Sequence, residues 1–181
     1  MSVILGLFVG GRGTRMGGVD KSALPTPAGP SILERTVSLA EGLGLRVFLV
    51  GDGAPHARLP RLVDTPTGVG PLGGLAALLA EAGDGHAIAL ACDMPFVAEV
   101  DLAALVASPS SAAVLAARTF EHWEPLFARY HAPRARPIVA ALLAEGRRAL
   151  SAVVERAGAE VFTPTDPRTV LDWDTPEDRA R

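Results

Sequence analysis

The 181-residue sequence is short of several things at once. It has one cysteine, no asparagine and no surplus of positive charge. A lone Cys92 cannot close an internal disulfide, so a reducing, cytoplasmic setting is expected. A net charge of −3 argues against a nucleic-acid partner, which calls for a basic surplus. A small anionic ligand stays open, because a few local cations suffice to hold one. No apolar run approaches the roughly 18 residues of a membrane span, so no membrane partner is expected. The apolar start, MSVILGLFVGG, has no basic residues before it and no small-residue cleavage pattern after it. It reads as a buried strand rather than a signal peptide. The four histidines, at 56, 86, 122 and 131, lack zinc-ligand spacing.

What is present is apolar. Half of the chain, 49%, is hydrophobic, and the length suits one domain spanning residues 1–181. Val3 to Val9 predicts a central strand. Ser31 with Glu34 three residues on forms a capping box ahead of a helix that Gly42 and Gly44 end. Arg46–Val50, Leu62–Val63 and His86–Ala91 read as strands, and Leu72–Ala82 and Asp101–Val106 as helices. Ala112–Ala117 and Pro125–Tyr130 follow as strands. Two helices broken near Gly146 occupy 135–157. Val170–Trp173 reads as a late strand, and Thr175 to Asp178 opens a terminal helix. Alternating strand and helix through the first 107 residues predicts a mostly parallel sheet in a three-layer α/β/α sandwich. Ligands on such sheets bind at the carboxyl ends of the strands, here Gly10–Gly11, Asp64 and Asp93.

The stretch FVGGRGTRMGGVDKS, residues 8–22, looks made to grip phosphate but fits neither familiar pattern. Gly13 and Gly18 have the spacing of a Walker A loop, yet Val19 and Asp20 displace Lys21–Ser22. Gly11-Arg12-Gly13 misses the dinucleotide fingerprint by one residue before Gly17. The next predicted helix also starts well beyond the loop, whereas both named motifs open a helix at once. The chemistry still stands. Glycines let backbone N–H groups approach an anion, and Arg12, Arg15 and Lys21 bring charge.

The ordered set FVGGRGTRMGGVDK, VGPLGG, ACDMPF, EPLFARY and WDTPED resembles the molybdenum cofactor guanylyltransferases, the MobA family of nucleotidyltransferases. The resemblance covers nearly the whole chain. It implies a Rossmann-like nucleotidyltransferase fold of the GT-A-like kind. It implies that Phe8, Val9, Gly10 and Gly11 face the nucleotide through their backbone. Arg15 and Lys21 would neutralise the triphosphate, and Asp64 would contact the guanine nucleotide. Gly73 and Gly74, in the Gly70-Pro71-Leu72-Gly73-Gly74 turn, would close over the nucleoside. Asp93 would bind Mg2+ and lie against the nucleotide, with Asp174 reaching the same metal and Asp172 nearby. Lys21, Arg15 and Asp93 are thus the expected catalytic set. Glu124 to Phe127 and Gly146-Arg147-Arg148 resemble segments on the acceptor side.

The chain departs from the family in places. Phe8–Val9 stands where Leu-Ala is usual. Asp52 follows the second strand where the family has a nucleotide-contacting asparagine, and an acid there would repel phosphate. Asp172 and Asp174 also stand where asparagine is frequent, adding negative charge.

The implied reaction passes GMP from GTP to the phosphate of a molybdopterin-type cofactor, with pyrophosphate leaving. The attacking group is already an anion, so positioning and charge neutralisation carry the chemistry. Mg2+ prefers one or two carboxylates plus phosphate oxygens and water. Transient contacts with molybdoenzymes or their chaperones would follow from such a role. A CTP-dependent cytidylyltransferase on the same cofactor and a non-catalytic cofactor carrier are the alternatives. Gly10–Gly11, the Gly17 to Lys21 run and Gly-Arg-Arg favour guanine.

Overall fold

The computed structural model describes residues 2–9, 24–25, 29–52, 58–119 and 122–173. The expected opening loop and the terminal helix lie outside them. The first strand, β1 (Val3–Phe8), is buried on both faces. Helix α1 (Ile32–Gly42) starts at the expected capping box. The Ser31 hydroxyl accepts from the Glu34 N–H at 3.2 Å, and the Glu34 carboxylate accepts from the Ser31 N–H at 2.9 Å. Two orphan donors of the first turn are thereby satisfied. Gly44, at φ +71°, carries the chain past the helix end into β2 (Arg46–Val50).

The remaining elements are β3 (Arg61–Leu62), α2 (Pro71–Glu81), β4 (His86–Ala91), α3 (Glu99–Ala107), β5 (Val114–Thr119), β6 (His122–His131), α4 (Ala132–Ala144), α5 (Ser151–Ala157) and β7 (Glu160–Phe162). The seven strands form one sheet in the order β3-β2-β1-β4-β6-β5-β7. β1 pairs in parallel with β2 and β4, β2 with β3, and β5 with β7, while β6 alone among the described strands runs antiparallel. The mostly parallel α/β sandwich expected from the sequence is therefore the observed fold.

Strand alternation sends side chains to two cores. Leu5 and Leu7 pack with Leu33 of α1 and Leu102 and Leu105 of α3. Ile4 and Phe8 pack with Leu75 and Leu78 of α2, Val139 of α4 and Val153 of α5. Neither helical layer can bury its apolar face without the sheet, which fixes the layering.

Two buried polar residues tie loops to this frame. Arg129 on β6, 4% exposed, donates to the carbonyls of Leu105, Ser108 and Ser110. It thereby satisfies the end of α3 and the turn that follows, work that water does at an exposed helix terminus. Asp101 on α3 is fully buried. Its carboxylate accepts from the Thr165 N–H at 2.6 Å and the Thr169 hydroxyl at 2.7 Å. Burial alone would push this carboxyl up, but the hydrogen bonds hold it below the usual carboxylate range.

The late segment corrects the sequence expectation. Val170–Trp173 is not a strand. A 3-10 turn covers Pro167–Val170, capped by the Asp166 side chain, and extended chain follows. Val170 and Trp173 are buried in two different apolar clusters, while Leu171 and Asp172 face solvent. Their apolar character serves tertiary packing rather than a ladder. The edge strand β7 is too short and too exposed to show a period in the sequence.

At the opposite end of the sheet, His86 and His131 are cross-strand partners with their rings edge to face at 4.8 Å. Burial, then the charges of Arg129 and His131, push His86 down to about 4. His131 is lowered too, first by burial. Unfolded, His86 takes its proton near 6.5; folded, it resists to about 4. The unfolded chain therefore binds more protons in that window, and stability falls as pH drops from 6.5 toward 4. His86→Leu should flatten this part of the wild-type slope, by about 2–3 kcal/mol at most. Denaturant melts at pH 7.5, 5.5 and 4.5 measure it; parallel slopes for both proteins would rule the histidine out as the cause.

Candidate active site

The carboxyl ends of β1, β2, β3 and β4 share one edge of the sheet, and backbone hydrogen bonds extend the ladder beyond them. The Val9 N–H donates to Val50 O at 3.0 Å, and the Cys92 N–H to Phe8 O at 3.2 Å. Phe8 and Val9 are buried, and these peptide groups are used by the sheet. Gly10, Gly11, Arg12, Arg15 and Lys21 come next in the chain and lie outside the described residues, as does Asp174.

Asp64 follows β3 and is half-buried. Burial first, and then the charge of Asp52 beyond β2, raise its carboxyl above the ordinary range. Two acids therefore share this corner. It suits hydroxyl and N–H donors better than phosphates, which the pair repels. The Arg61 guanidinium donates to Gly51 O and holds the β2 and β3 ends together.

The N-terminal turn of α2 lies against Asp64. Gly70, at φ +74°, leads into Pro71 at the first helical position. A methyl at Gly73 would meet Pro66 O and Val69 Cγ2 at 2.7 Å. One at Gly74 would meet Val50 Cγ1 at 2.6 Å, Phe8 Cε1 at 3.2 Å and Asp64 Oδ1 at 3.3 Å. These glycines let the helix seat on the strand ends with Asp64 against it. Their Cβ directions point into protein, so any contact of theirs with a ligand is a matter of position, not of open space at the missing side chain.

Asp93 follows β4, half-buried, just ahead of buried Met94 and Pro95. The Trp173 N–H donates to Asp93 O at 2.9 Å. Trp173 also packs with Ile32, Leu24 and Phe96, edge to face with the last at 6.0 Å. These contacts bring Trp173, with Asp172 just before it, beside the Asp93 backbone across 80 residues of sequence. The available donors here are carboxylate oxygens, while Cys92 packs into the apolar cluster below. Among the described residues no group of three or more His, Cys, Asp or Glu is arranged to hold a metal. Carboxylate oxygens are the hard donors that divalent cations take.

The third side of the site was only partly visible in the sequence. β6 is longer than β4, and Leu90 pairs with Phe127, so residues 122–125 project past the end of β4 at Ala91. They pair with β5 as a raised hairpin: Ala117 with Glu124, Arg118 with Trp123, Thr119 with His122. The register shifts between Ala116 and Ala117, a bulge that re-aims the arm. The Thr119 hydroxyl donates to Glu124 Oε1 at 2.9 Å, and the Arg118 guanidinium carbon lies over the Trp123 ring, 5.2 Å from its centroid. Burial raises the Glu124 carboxyl; Asp172 adds to the shift, and Thr119 and His122 oppose it. Thr119 and Trp123 carried no signal of their own. Arg147 and Arg148 are exposed in the turn between α4 and α5.

A mostly parallel sheet with carboxylates and a glycine-seated helix at its carboxyl edge has the ligand-binding crevice of an open α/β protein. Residues 6–161 match the model of the MobA-like NTP transferase domain, and the chain belongs to that family of nucleotidyltransferases. A relative from Chloroflexus aggregans, named a probable molybdenum cofactor guanylyltransferase, is 32% identical over 96% of this chain and 90% of its own. The molybdenum cofactor guanylyltransferase of Pseudomonas putida is 31% identical over 94% and 92%. In fold, the chain is similar to molybdopterin-guanine dinucleotide biosynthesis protein A from Archaeoglobus fulgidus, with a TM-score of 0.79 at 22% identity over 100% and 96% of the two chains. Among the described residues no helix is long and apolar enough to cross a membrane.

The packing at Gly74 yields a direct expectation. Gly74→Ala should overpack the α2 seat and cost about 1–3 kcal/mol. Thermal melts read this, and an unchanged midpoint would mean that the helix moves away freely.

Proposed function

We propose that the protein is a magnesium-dependent guanylyltransferase of the reducing cytoplasm, acting on a molybdopterin-type cofactor. An oxygen of the acceptor phosphate attacks the α-phosphorus of GTP. The bond from that phosphorus to the β-phosphate bridge breaks, and pyrophosphate leaves with its electron pair. The product joins GMP to the acceptor through a new phosphoanhydride. The observation that carries the reading is the Trp173–Asp93 backbone bond, which supports one carboxylate corner built from β4 and the late chain.

Roles follow from position for the described residues, and from the family resemblance for Gly10, Gly11, Arg15, Lys21 and Asp174. Asp64 and Asp52 form an acid corner at the β2–β3 side, about 14 Å across the strands from Asp93. That separation and charge favour the nucleoside there and the phosphates at Asp93. Phe8, Val9, Gly10 and Gly11 border the nucleotide between the two, with Gly73 and Gly74 fixing the α2 seat beside Asp64. Lys21 and Arg15 spread the negative charge of the triphosphate. Asp93 and Asp174 would hold Mg2+, which supplies charge neutralisation where two phosphates meet. No general base is required of the chain, since the nucleophile arrives ionised.

Calorimetric titration with GTP, CTP and ATP, each with and without Mg2+, tests the reading first. Magnesium-dependent binding of GTP alone is expected; preference for CTP would transfer the enzyme to the cytidylyl branch. Asp93→Asn should keep the melting temperature and lower transfer at least about 100-fold. Undiminished transfer in that variant would remove Asp93 from the metal. Lys21 is the chain's sole lysine. Amine-directed labelling by periodate-oxidised GTP should therefore mark Lys21 apart from any α-amine, and free GTP should protect it.

A further inference from the structure

We infer that Glu124, on the raised β5–β6 hairpin, reads the ring of the acceptor: its carboxylate takes the paired N–H donors of a 2-amino-4-oxopyrimidine edge, the edge of a pterin. The inference rests on the guanylyltransferase reading and adds to it a residue that selects the acceptor.

Five observations converge on this carboxylate. Glu124 stands above the end of β4, on the part of β6 that outruns its neighbour, so it borders the same edge as Asp93. It is half-buried, which makes the strength of any hydrogen bond to it greater than at a fully wet surface. Thr119 fixes Oε1 at 2.9 Å, so the group is oriented before a ligand arrives. The arm that carries it is stiffened by the Arg118–Trp123 stack and re-aimed by the bulge at Ala116/Ala117. The field of Asp172 reaches the same carboxyl, so an anion is disfavoured as its ligand and N–H donors are favoured. A carboxylate presents two oxygens in one plane and accepts two parallel N–H bonds from adjacent ring donors.

Guanine carries the same donor edge as a pterin. Place separates them. Asp64 ends β3, and Glu124 lies on β6, four strand steps away, about 19 Å across the sheet. One residue cannot share the base with the Asp64 corner and also lie on this arm. Glu124 therefore falls to the acceptor, on the far side of the Asp93 corner from the nucleoside.

The probes are 6-hydroxymethylpterin monophosphate and its lumazine counterpart, in which a 2-oxo group replaces the 2-amino donor. Pterin fluorescence follows binding to the full chain. The wild type should bind the pterin saturably and the lumazine about tenfold or more weakly. Glu124→Gln should weaken the pterin by about tenfold or more, leave the lumazine little changed and leave GTP affinity unchanged. Thr119→Val, which frees Oε1 without removing it, should fall between. Equal pterin binding by wild type and Glu124→Gln overturns the inference, as does a wild type that binds no pterin or ignores the pterin–lumazine difference. Weakened GTP binding in Glu124→Gln, with GTP displacing the pterin, overturns it as well and makes Glu124 a reader of guanine. The GTP titration on the wild type stands apart from these arms, so failure of the guanylyltransferase reading would show there.

Discussion

The position of β1 governs the rest of the molecule. It lies between β2 and β4, with parallel ladders on both sides. The strand order reverses there, since β2 and β3 extend one way and β4 the other. A sheet built so leaves a crevice above its carboxyl edge, where loops from neighbouring strands part. Because β1 is buried on both faces, a one-residue slip would exchange Ile4 and Phe8 with Leu5 and Leu7 between two differently packed cores. The strand ends that carry Asp64 and Asp93 are therefore fixed relative to one another before any loop is placed.

On that edge the chain divides its charges. Asp64 and Asp52 make the β2–β3 corner acidic and hospitable to donors. Asp93 with the incoming Asp172–Trp173 segment makes a second oxygen-rich corner over β4. The β5–β6 hairpin rises as a wall beyond it. The asparagine missing beyond β2 is thus not simply a gap. Its replacement by Asp52 adds a like charge to Asp64, which argues for a nucleoside rather than a phosphate at that corner.

Much of this was legible in the residues themselves. Ser31 and Glu34 announce α1, since a capping box needs only two residues three apart in the local chain. The apolar runs 46–50 and 86–91 mark buried parallel strands because both their faces are covered. The glycine-rich loop and the Asp93 segment carry the family resemblance, and the family match bears it out. The late segment was misread because Val170 and Trp173 are apolar for different partners. β7 escaped because three residues, two of them exposed, hold no period.

By itself, the sequence determined the elements whose causes are local: caps, buried runs, glycine turns and the motif residues that define the family. The tertiary structure alone decided what meets across distance. It set β6 antiparallel between β4 and β5, brought Trp173 to Asp93, and seated Gly74 against Asp64. It also raised Glu124 above the sheet on a bulged arm. Those outcomes depend on which buried surfaces find one another, and that choice is made by packing over the whole sheet rather than by any window of the chain.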